Sequence, residues 1–503
     1  KAENFLQMTP TNGPVDLNVD QMAACPDGSL WLRSDLEFRK YRDRHWVARV
    51  ADWGGAGPQS SNYTLMMNGD SHGGLWVSHY QEGVWHADAD GHGSQVQLPN
   101  TLVECWLEDH EGNVWIGLGG GGGLVCLRKP VFHTVWPADM HGQLADRSIC
   151  EDQSGAMWFG TSENILLRWS DGLFTTFTPP HEKEAGFDTI LIPGMAGQLW
   201  VGSVLNGLML FEDGKFTRPF PASDIGTVAR VIYKERKNRV WIGSEFGLFC
   251  WNQGKLKRYT AKDGFLPAYV LAITEDKTGT IWIGTAMGEL RCFKDGQFTS
   301  YFPKDSLLTS QITAPPNADS FKGLNRGSLS GGERFWSLYA DAQDVLWIGS
   351  LGGGLLRFED GKFTRFASSE GLPNDYISQI LEDQFGRLWL GSRNGIVRVN
   401  KAALNQYSRV GTNSLHFVSY GKSDGLPTAE CSGGSQPACW RSKDNRLWFA
   451  TAKGAVWTDP ADALSNNLLP TTVIEEVYVD GRLQTENEQL ARSVAIPLPA
   501  SLA

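Results

Sequence analysis

The sequence predicts an all-β protein with a β-propeller fold, because one short phrase recurs along almost the whole chain and no segment shows helical periodicity. The phrase is a tight turn followed by a strand that ends in Trp-Ile-Gly or a close variant, as in Asp276-Lys-Thr-Gly-Thr-Ile-Trp-Ile-Gly-Thr285. Seven of the nine spacings between its copies lie between 39 and 45 residues. All-β repeats of about 40–45 residues are typical of propeller blades, whereas solenoid repeats of this length are mostly helical. The tryptophans that mark the ten copies are Trp31, Trp76, Trp115, Trp158, Trp200, Trp241, Trp282, Trp347, Trp389 and Trp448.

Residues 269–302 show the internal organisation of one repeat. Its predicted strands are 269–276, 280–285, 288–293 and 298–302. The last two are joined by Asp295-Gly296, and Asp-Gly between alternating runs is a strong hairpin signal. The same pair recurs at Asp171-Gly172, Asp213-Gly214 and Asp360-Gly361. Each repeat is therefore expected to be a four-stranded antiparallel meander, with the repeated tryptophan in the second strand and packed between blades.

The two ends of the repeat region predict how the ring closes. Residues 3–8 resemble a fourth strand without its own first three, and the last repeat, around Trp448, loses the pattern after its third strand. The N-terminal strand is therefore expected to complete the last blade, which buries edges that an open array would expose. Ten repeats are compatible with one large ring or with an unequal split, and we predict a single ring of about ten blades.

Two repeats are longer than the others. The gap between Trp282 and Trp347 holds a segment rich in Ser, Pro, Gly and Asn, at about 303–332, which we predict to be a long surface loop. The gap between Trp389 and Trp448 holds a smaller insertion near 401–415.

Composition excludes several classes of partner. The net charge of −11 argues against a nucleic-acid backbone or an anionic membrane surface as the main partner. The sequence has no run of about 18 apolar residues, which is the length expected of a membrane-spanning helix. The eight cysteines include no Cys-x-x-Cys pair, which argues against a zinc or redox motif, and the sequence leaves open whether Cys431 and Cys439 are paired. No cofactor is expected.

The repeat resembles that of the two-component regulator propeller family. The residues that carry the resemblance are Glu382-Asp383, Gly386, Leu388-Trp389-Leu390-Gly391-Ser392, Gly352-Gly-Gly-Leu355, Arg357-Phe358 and Asp360-Gly-Lys-Phe363, with the inter-blade elements Glu370-Gly-Leu-Pro373 and Asp424-Gly-Leu-Pro427. The tail from Thr471 is similar to the start of the Ig-like domain that follows these propellers. The resemblance implies a propeller over residues 1–462 and the first strands of a truncated Ig-like domain over 463–503.

The resemblance also implies a function. In that family the propellers form the extracytoplasmic sensor of histidine kinases or hybrid regulators, and many respond to polysaccharide fragments. The chain is therefore expected to be a periplasmic, non-catalytic sensor of a small-molecule or oligosaccharide ligand. Its partners would be the Ig-like and transmembrane segments of the same protein and a second protomer, with no nucleic acid.

Ligand-binding residues are expected where the repeats differ. The position eleven residues before each tryptophan begins the innermost strand, so these side chains should ring one mouth of the central channel. The mixture of acids, arginines and a tryptophan there suits a polar ligand with hydroxyls or a carboxylate. The alternative, channel residues solvated by trapped water, stays open. The residues chosen as ligand-binding are Asp20, Glu104, Arg147, Thr189, Arg230, Trp336 and Ser378; the other members of the column are Leu65, Leu271 and Pro437.

A second, weaker candidate site is the set of loops that join the second and third strands on the same rim. Polar residues on loops are usually only solvated, so this set ranks below the channel mouth. Its members are Tyr80, Glu163, Asn206, Glu245, Arg393 and Asn394.

Other functions remain as alternatives. The sequence has no His-Glu-x-x-His and singles out no nucleophile with a matching acid or base, so no catalytic residues are predicted. Four nearby histidines, His72, His79, His86 and His92, lack the spacing of a metal motif, and no metal site is predicted. A propeller lyase or glycoside-acting enzyme is the first alternative, and a protein-interaction scaffold is the second.

Overall fold

The computed structural model describes most of the repeat region. Contacts divide the chain into two compact units, the first formed by residues 1–128 and 465–503 and the second by 129–464. The described residues are 19–34, 37–50, 53, 65–79, 83–109, 112–128, 130–137, 146–163, 165–180, 189–194, 197–203, 207–220, 229–244, 247–265, 268–303, 334–411, 415–433, 436–463, 478–479 and 482–483.

In the first unit the described residues form three antiparallel meanders, of which the third has three strands. Their orders are β1-β2-β3-β4, β5-β6-β7-β8 and β11-β10-β9. A separate ladder pairs β40 with β41. The strands are β1 (Val19–Ala24), β2 (Leu30–Ser34), β3 (Glu37–Arg42), β4 (His45–Arg49), β5 (Leu65–Gly69), β6 (Leu75–His79), β7 (Gly83–Ala87), β8 (Gly93–Val96), β9 (Val103–Glu108), β10 (Val114–Leu118), β11 (Gly123–Leu127), β40 (Tyr478–Val479) and β41 (Arg482–Leu483).

In the second unit the described residues form seven four-stranded sheets. Six are meanders of consecutive strands, from β13-β14-β15-β16 to β33-β34-β35-β36, and the seventh has the order β12-β39-β38-β37. The strands are β12 (His133–Val135), β13 (Asp146–Glu151), β14 (Met157–Thr161), β15 (Leu166–Ser170), β16 (Leu173–Phe177), β17 (Thr189–Pro193), β18 (Leu199–Ser203), β19 (Gly207–Glu212), β20 (Lys215–Thr217), β21 (Ala229–Lys234), β22 (Val240–Ser244), β23 (Gly247–Asn252), β24 (Lys255–Arg258), β25 (Val270–Glu275), β26 (Ile281–Thr285), β27 (Leu290–Lys294), β28 (Gln297–Tyr301), β29 (Arg334–Ala340), β30 (Leu346–Leu351), β31 (Leu355–Glu359), β32 (Lys362–Phe366), β33 (Ile377–Glu382), β34 (Arg387–Ser392), β35 (Gly395–Asn400), β36 (Phe417–Tyr420), β37 (Cys439–Arg441), β38 (Leu447–Thr451) and β39 (Gly454–Thr458).

The predicted all-β propeller meanders are confirmed, and the Asp-Gly pairs form the predicted hairpin turns. At Asp360-Gly361, for example, both residues have positive φ, 50° and 76°. A turn with two positive φ values matches the right-handed twist of the strands that it joins, and Gly reaches that region without steric cost. The four strands predicted within 269–302 are present as β25 to β28.

The turn before seven of the repeated tryptophans holds the indole by a hydrogen bond. In the fourth sheet of the second unit, Asp276 accepts the backbone N–H groups of Thr278 and Thr280 through one oxygen and the indole N–H of Trp282 through the other, at 2.9 Å. In seven sheets the indole N–H of the tryptophan donates to an acceptor six residues earlier. These acceptors are Asp109, Asp152, Glu235, Asp276, Asp341, Asp383 and Ser442.

The glycine of the repeated Trp-x-Gly phrase allows neighbouring sheets to approach. A Cβ added at Gly243 would lie 2.4 Å from Val231 and 2.5 Å from Val270, which begins the next sheet. A Cβ at Gly349 would lie 2.6 Å from the carbonyl oxygen of Ile377. Packing between sheets therefore explains why Gly occupies this position.

In the second unit, contacts between innermost strands link seven sheets in a cycle, whereas the sequence analysis predicted a single ring of about ten. Each innermost strand contacts the innermost strand of the next sheet, from β13 through β17, β21, β25, β29 and β33 to β37, and β13 contacts β37, β38 and β39. The backbone N–H of Ile149 in β13 donates to the carbonyl of Pro437 at 3.0 Å. This cycle contains the seven described sheets of the second unit.

The closing strand also differs from the prediction. The place beside β39 is taken by β12, whose His133 pairs with Trp457 and Val135 with Ala455. Phe132 anchors this strand: it is 1% exposed and packs against Trp389, Tyr420 and Phe449. Residues 3–8, which were expected to close the last sheet, lie outside the described residues.

One α-helix is present in the described ranges, and the sequence analysis did not predict it. Helix α1 (Lys401–Val410) fills the smaller insertion between β35 and β36. Its caps are visible in the sequence: Asn400 accepts the N–H groups of Ala402 and Ala403, and Gly411 follows with φ 71°. The inter-blade phrases form 3-10 turns at Ala261–Asp263, Ser368–Glu370 and Lys422–Asp424, each ended by a glycine with positive φ.

Two predictions fall mostly outside the described residues. The expected loop at 303–332 is described only at Pro303. In the tail, backbone pairing of Tyr478 with Leu483 and of Val479 with Arg482 is what is described. The boundaries 1–462 and 463–503 therefore remain predictions. In the described part of the chain, no helix is both long and apolar enough to cross a membrane.

The carboxylates in these turns should make the stability of the fold depend on pH. Burial opposes ionisation of Asp276, but hydrogen bonds from Trp282, Thr278 and Thr280 outweigh it, so the pKa of this carboxyl is lowered. A lowered pKa contributes stability that is present above the unfolded pKa, about 4, and is lost as pH falls through the folded pKa. We expect Asp276→Asn to lower the melting temperature at pH 6 and to lose that effect progressively below about pH 4. Melting curves of both proteins between these values test it, and a constant difference would contradict it.

Candidate functional site

A cavity of about 460 Å³ lies in the centre of the second unit, where the innermost strands converge. Its walls come from β17, β21, β25, β29 and β33 and from the chain at and before β37. Their side chains are mostly apolar and aromatic. The lining residues are Ile192, Pro193, Ile232, Tyr233, Lys234, Thr274, Trp336, Ser337, Leu338, Tyr339, Ser378, Gln379, Ile380, Leu381, Gln436, Pro437, Ala438, Cys439 and Trp440.

The chain before β37 crosses the channel and forms one wall of this cavity. The backbone of Gln436 bridges to β21: its N–H donates to the carbonyl of Arg230 at 3.1 Å, and its carbonyl accepts from Ile232 at 3.4 Å. The side chain of Gln436 spans to β25, where it accepts the N–H of Ile273 at 2.9 Å and donates to the same residue's carbonyl at 3.1 Å. One residue thus satisfies backbone groups on two sheets that would otherwise face the channel.

The same crossing segment lies against the opposite sheets. Gln379 of β33 donates to the carbonyls of Ser432 and Ala450, at 2.7 and 2.9 Å. A Cβ added at Gly433 would lie 2.7 Å from both Trp336 and Ser378. The segment therefore needs glycine at 433 to pass this close to the channel wall.

The polar side chains of the cavity differ in how many of their hydrogen-bonding groups have a partner. The phenol of Tyr339 donates to Glu382 at 3.0 Å. Burial raises the pKa of Tyr233 and that of Tyr339, so both phenols are neutral at physiological pH. Lys234 donates to the carbonyl of Gly194 at 2.8 Å. It is the one charged side chain among the described residues that line the cavity.

The structure brings together part of the predicted channel-mouth set. Trp336 and Ser378 line the cavity, as does Pro437 from the same column. The guanidinium of Arg230 lies outside the cavity lining and donates to the phenol of Tyr269 at 3.1 Å. Thr189 is fully buried.

The other members of the channel-mouth set are not brought to this cavity. Arg147 lies in β13, and its side chain is outside the described part of the chain. Asp20 and Glu104 are exposed residues of the first unit. The prediction treated all ten repeats as one ring. Asp20 and Glu104 lie in the first unit, so they belong to a different set of sheets.

One rim-loop residue connects to the channel. The guanidinium of Arg393 lies 4.1 Å from the ring centre of Tyr376, whose ring packs edge-on against Trp336 at 5.1 Å. Asn394 and Glu163 are exposed. Tyr80, Asn206 and Glu245 lie outside the described residues.

Sequence reasoning missed the cavity residues further along the same innermost strands. The positions seven and eight residues before the tryptophan supply Lys234, Tyr233, Tyr339 and Trp440. These positions also vary between repeats, and reading them as a second column would have selected the three aromatic residues. The channel-crossing role of Gln436 has no such signal, because it depends on contacts with distant sheets.

Among the described residues, this site has neither a disulfide nor a group of metal ligands. Cys431 and Cys439 are both free thiols, and burial raises the pKa of each to about 12. Within the described ranges, no three His, Cys, Asp or Glu side chains are grouped in a way that could hold a metal ion.

The sheets and the central cavity define a β-propeller protein. Two stretches, residues 264–287 and 371–394, match the family model described as the two-component regulator propeller. The repeat that the sequence resembles is thereby confirmed. No curated protein sequence matches the chain significantly.

A solved structure shares this fold. The extracellular domain of the hybrid two-component system BT3049 from B. thetaiotaomicron is 20% identical, with a TM-score of 0.63 over 94% of this chain. The chain spans 60% of the length of that domain. A virginiamycin B lyase from Staphylococcus aureus is 17% identical, with a TM-score of 0.46, and the match covers 66% of this chain and 98% of the lyase.

Proposed function

We propose that this chain is an extracytoplasmic ligand-sensing region of a two-component regulator and is not itself an enzyme. The match of two of its repeats to the two-component regulator propeller carries the proposal. The shared fold with an extracellular domain of a hybrid two-component system is consistent with it. The protein would act in the periplasm, before the Ig-like and membrane segments of a longer sensor.

The ligand would be an oligosaccharide bound at the channel mouth of the second unit. Arg230 and Arg393 supply guanidinium groups there, beside the aromatic rings of Tyr269 and Tyr376. Aromatic faces can stack on sugar rings, and guanidinium groups bind carboxylates and hydroxyls. Signalling requires that the ligand bind one packing state of two protomers more tightly than the other, because equal affinity shifts no equilibrium.

Replacing both mouth arginines should strongly weaken this binding with little effect on folding. We expect Arg230→Ala/Arg393→Ala to weaken binding of an acidic oligosaccharide by about 100-fold, since each lost charged hydrogen bond is worth about 1.5–3 kcal/mol. Calorimetric titration against a panel of neutral and acidic oligosaccharides measures it. Lys255→Ala, on the exposed outer strand β24, is the matched control.

Two results would count against the proposal. Binding that survives both arginine changes would remove the mouth as the site. Turnover of any saccharide in the panel by the purified chain would favour the enzyme alternative instead.

A further inference from the structure

The central cavity has the chemistry of a small-molecule site that is separate from the saccharide mouth. Its volume of about 460 Å³ lies within the usual range of ligand pockets. Aromatic side chains from three sheets, Tyr233, Trp336, Tyr339 and Trp440, contribute to its wall. Isoleucine and leucine side chains supply much of the rest, so the cavity suits an apolar and flat molecular body.

Several of the polar groups that line this cavity are already hydrogen-bonded and so are not free to bind the hydroxyls of a saccharide. The hydroxyl of Ser378 already donates to the carbonyl of Gly391. The amide N–H groups of Gln379 are taken by two carbonyls, and both ends of the Gln436 amide are bonded to Ile273. A buried sugar hydroxyl without a partner costs free energy, so a polyhydroxylated ligand is disfavoured here.

Three donors in the cavity remain available to a ligand, and they belong to Lys234, Trp336 and Ser337, whose buried hydroxyl has no hydrogen-bond partner in the described part of the chain. The ammonium group of Lys234 has three N–H donors, and one of them bonds to Gly194. Among the described residues Lys234 has no carboxylate partner, unlike Lys401, which contacts Asp341 and Glu382. The buried indole N–H of Trp336 has no hydrogen-bond partner in the described part of the chain.

We propose that the central cavity of the second unit binds a small organic anion with an aromatic body, such as an aromatic carboxylate, through the ammonium group of Lys234. The carboxylate supplies the counter-charge that this half-buried cation lacks, and the ring fills the space between the aromatic walls. The proposal goes beyond the sensor function, because it adds a ligand of a different class at a different place.

Titration of the 503-residue chain with 2-naphthoate tests the proposal. We expect saturable binding and a raised melting temperature, since a ligand that binds only the native state stabilises it. The uncharged analogue 2-naphthamide should bind at least about tenfold more weakly, because a hydrogen bond to a charged group is worth about 1.5–3 kcal/mol.

Lys234→Met keeps the length of the side chain and removes its charge. We expect it to weaken 2-naphthoate binding by about tenfold or more and to leave 2-naphthamide binding unchanged. Lys234→Arg, which keeps the charge, should retain a preference for the carboxylate. Should Lys234→Met fail to fold, the comparison of naphthoate with naphthamide on the unaltered chain still decides.

Equal binding of the acid and the amide, or no binding of 2-naphthoate at millimolar concentration, would overturn the proposal. The saccharide titrations separate this failure from failure of the sensor function. Saccharide binding without naphthoate binding rejects the cavity site alone, and the reverse rejects the saccharide mouth alone.

Discussion

Asp383→Ala should lower the free energy of unfolding of the second unit by about 3 kcal/mol, one of the two largest single effects that we expect. The side chain of Asp383 is fully buried. One oxygen accepts the N–H groups of Phe385 and Arg387, and the other accepts the guanidinium of Arg387 at 2.6 Å and the indole of Trp389 at 2.7 Å. Alanine removes every one of these bonds and leaves the buried indole N–H unpaired.

Urea unfolding followed by circular dichroism measures this change. Gln384→Ala is the matched control, because Gln384 lies in the same turn and is exposed, so its loss should stay within about 0.5 kcal/mol. Asp383→Asn should fall between the two, since an amide can keep the turn bonds but not the ion pair. Equal stability of Asp383→Ala and Gln384→Ala would show that the indole is held by packing alone.

Lys401→Met should cost about 3 kcal/mol as well, because it leaves one buried and one partly buried carboxylate without their cation. The ammonium group of Lys401 contacts Glu382 at 2.7 Å, Gln343 at 2.9 Å and Asp341 at 3.2 Å. The side chain of Asp341 is fully buried, and that of Glu382 is 15% exposed. Removing only the cation destabilises the fold more than replacing the whole group with apolar residues would, because the remaining charges stay desolvated.

The same urea experiment measures this loss, with Lys422→Met as the exposed control. Combining Lys401→Met with Glu382→Gln should recover part of the stability, because the second change removes one of the stranded charges. If the double variant is less stable than the sum of its two single changes, this electrostatic account is wrong.

The repeat itself could be predicted from the sequence because its determinants are local. Asp360-Gly361 forms its hairpin with positive φ at both residues, as the dipeptide predicts. Asp276, Gly279 and Trp282 lie within seven residues of one another, so the turn and the indole that it holds are readable from one short phrase. The candidate site was predicted only in part: Trp336 and Ser378 follow from their place at the start of an innermost strand, whereas Lys234 and Trp440 were missed.

The sequence alone does not show which distant strands pair with one another. β12 follows β11 in the chain, yet it pairs with β39, which lies more than 300 residues later. Local patterning makes β12 a strand but cannot say which exposed edge it will join, and burial of Phe132 against Trp389 decides that. The sequence alone thus determined the meander, its turns and its ten copies, since each depends on residues close together in the chain. Only the tertiary structure decided that seven of the copies close with one another and that Gln436 crosses their channel, because those outcomes depend on contacts between residues far apart.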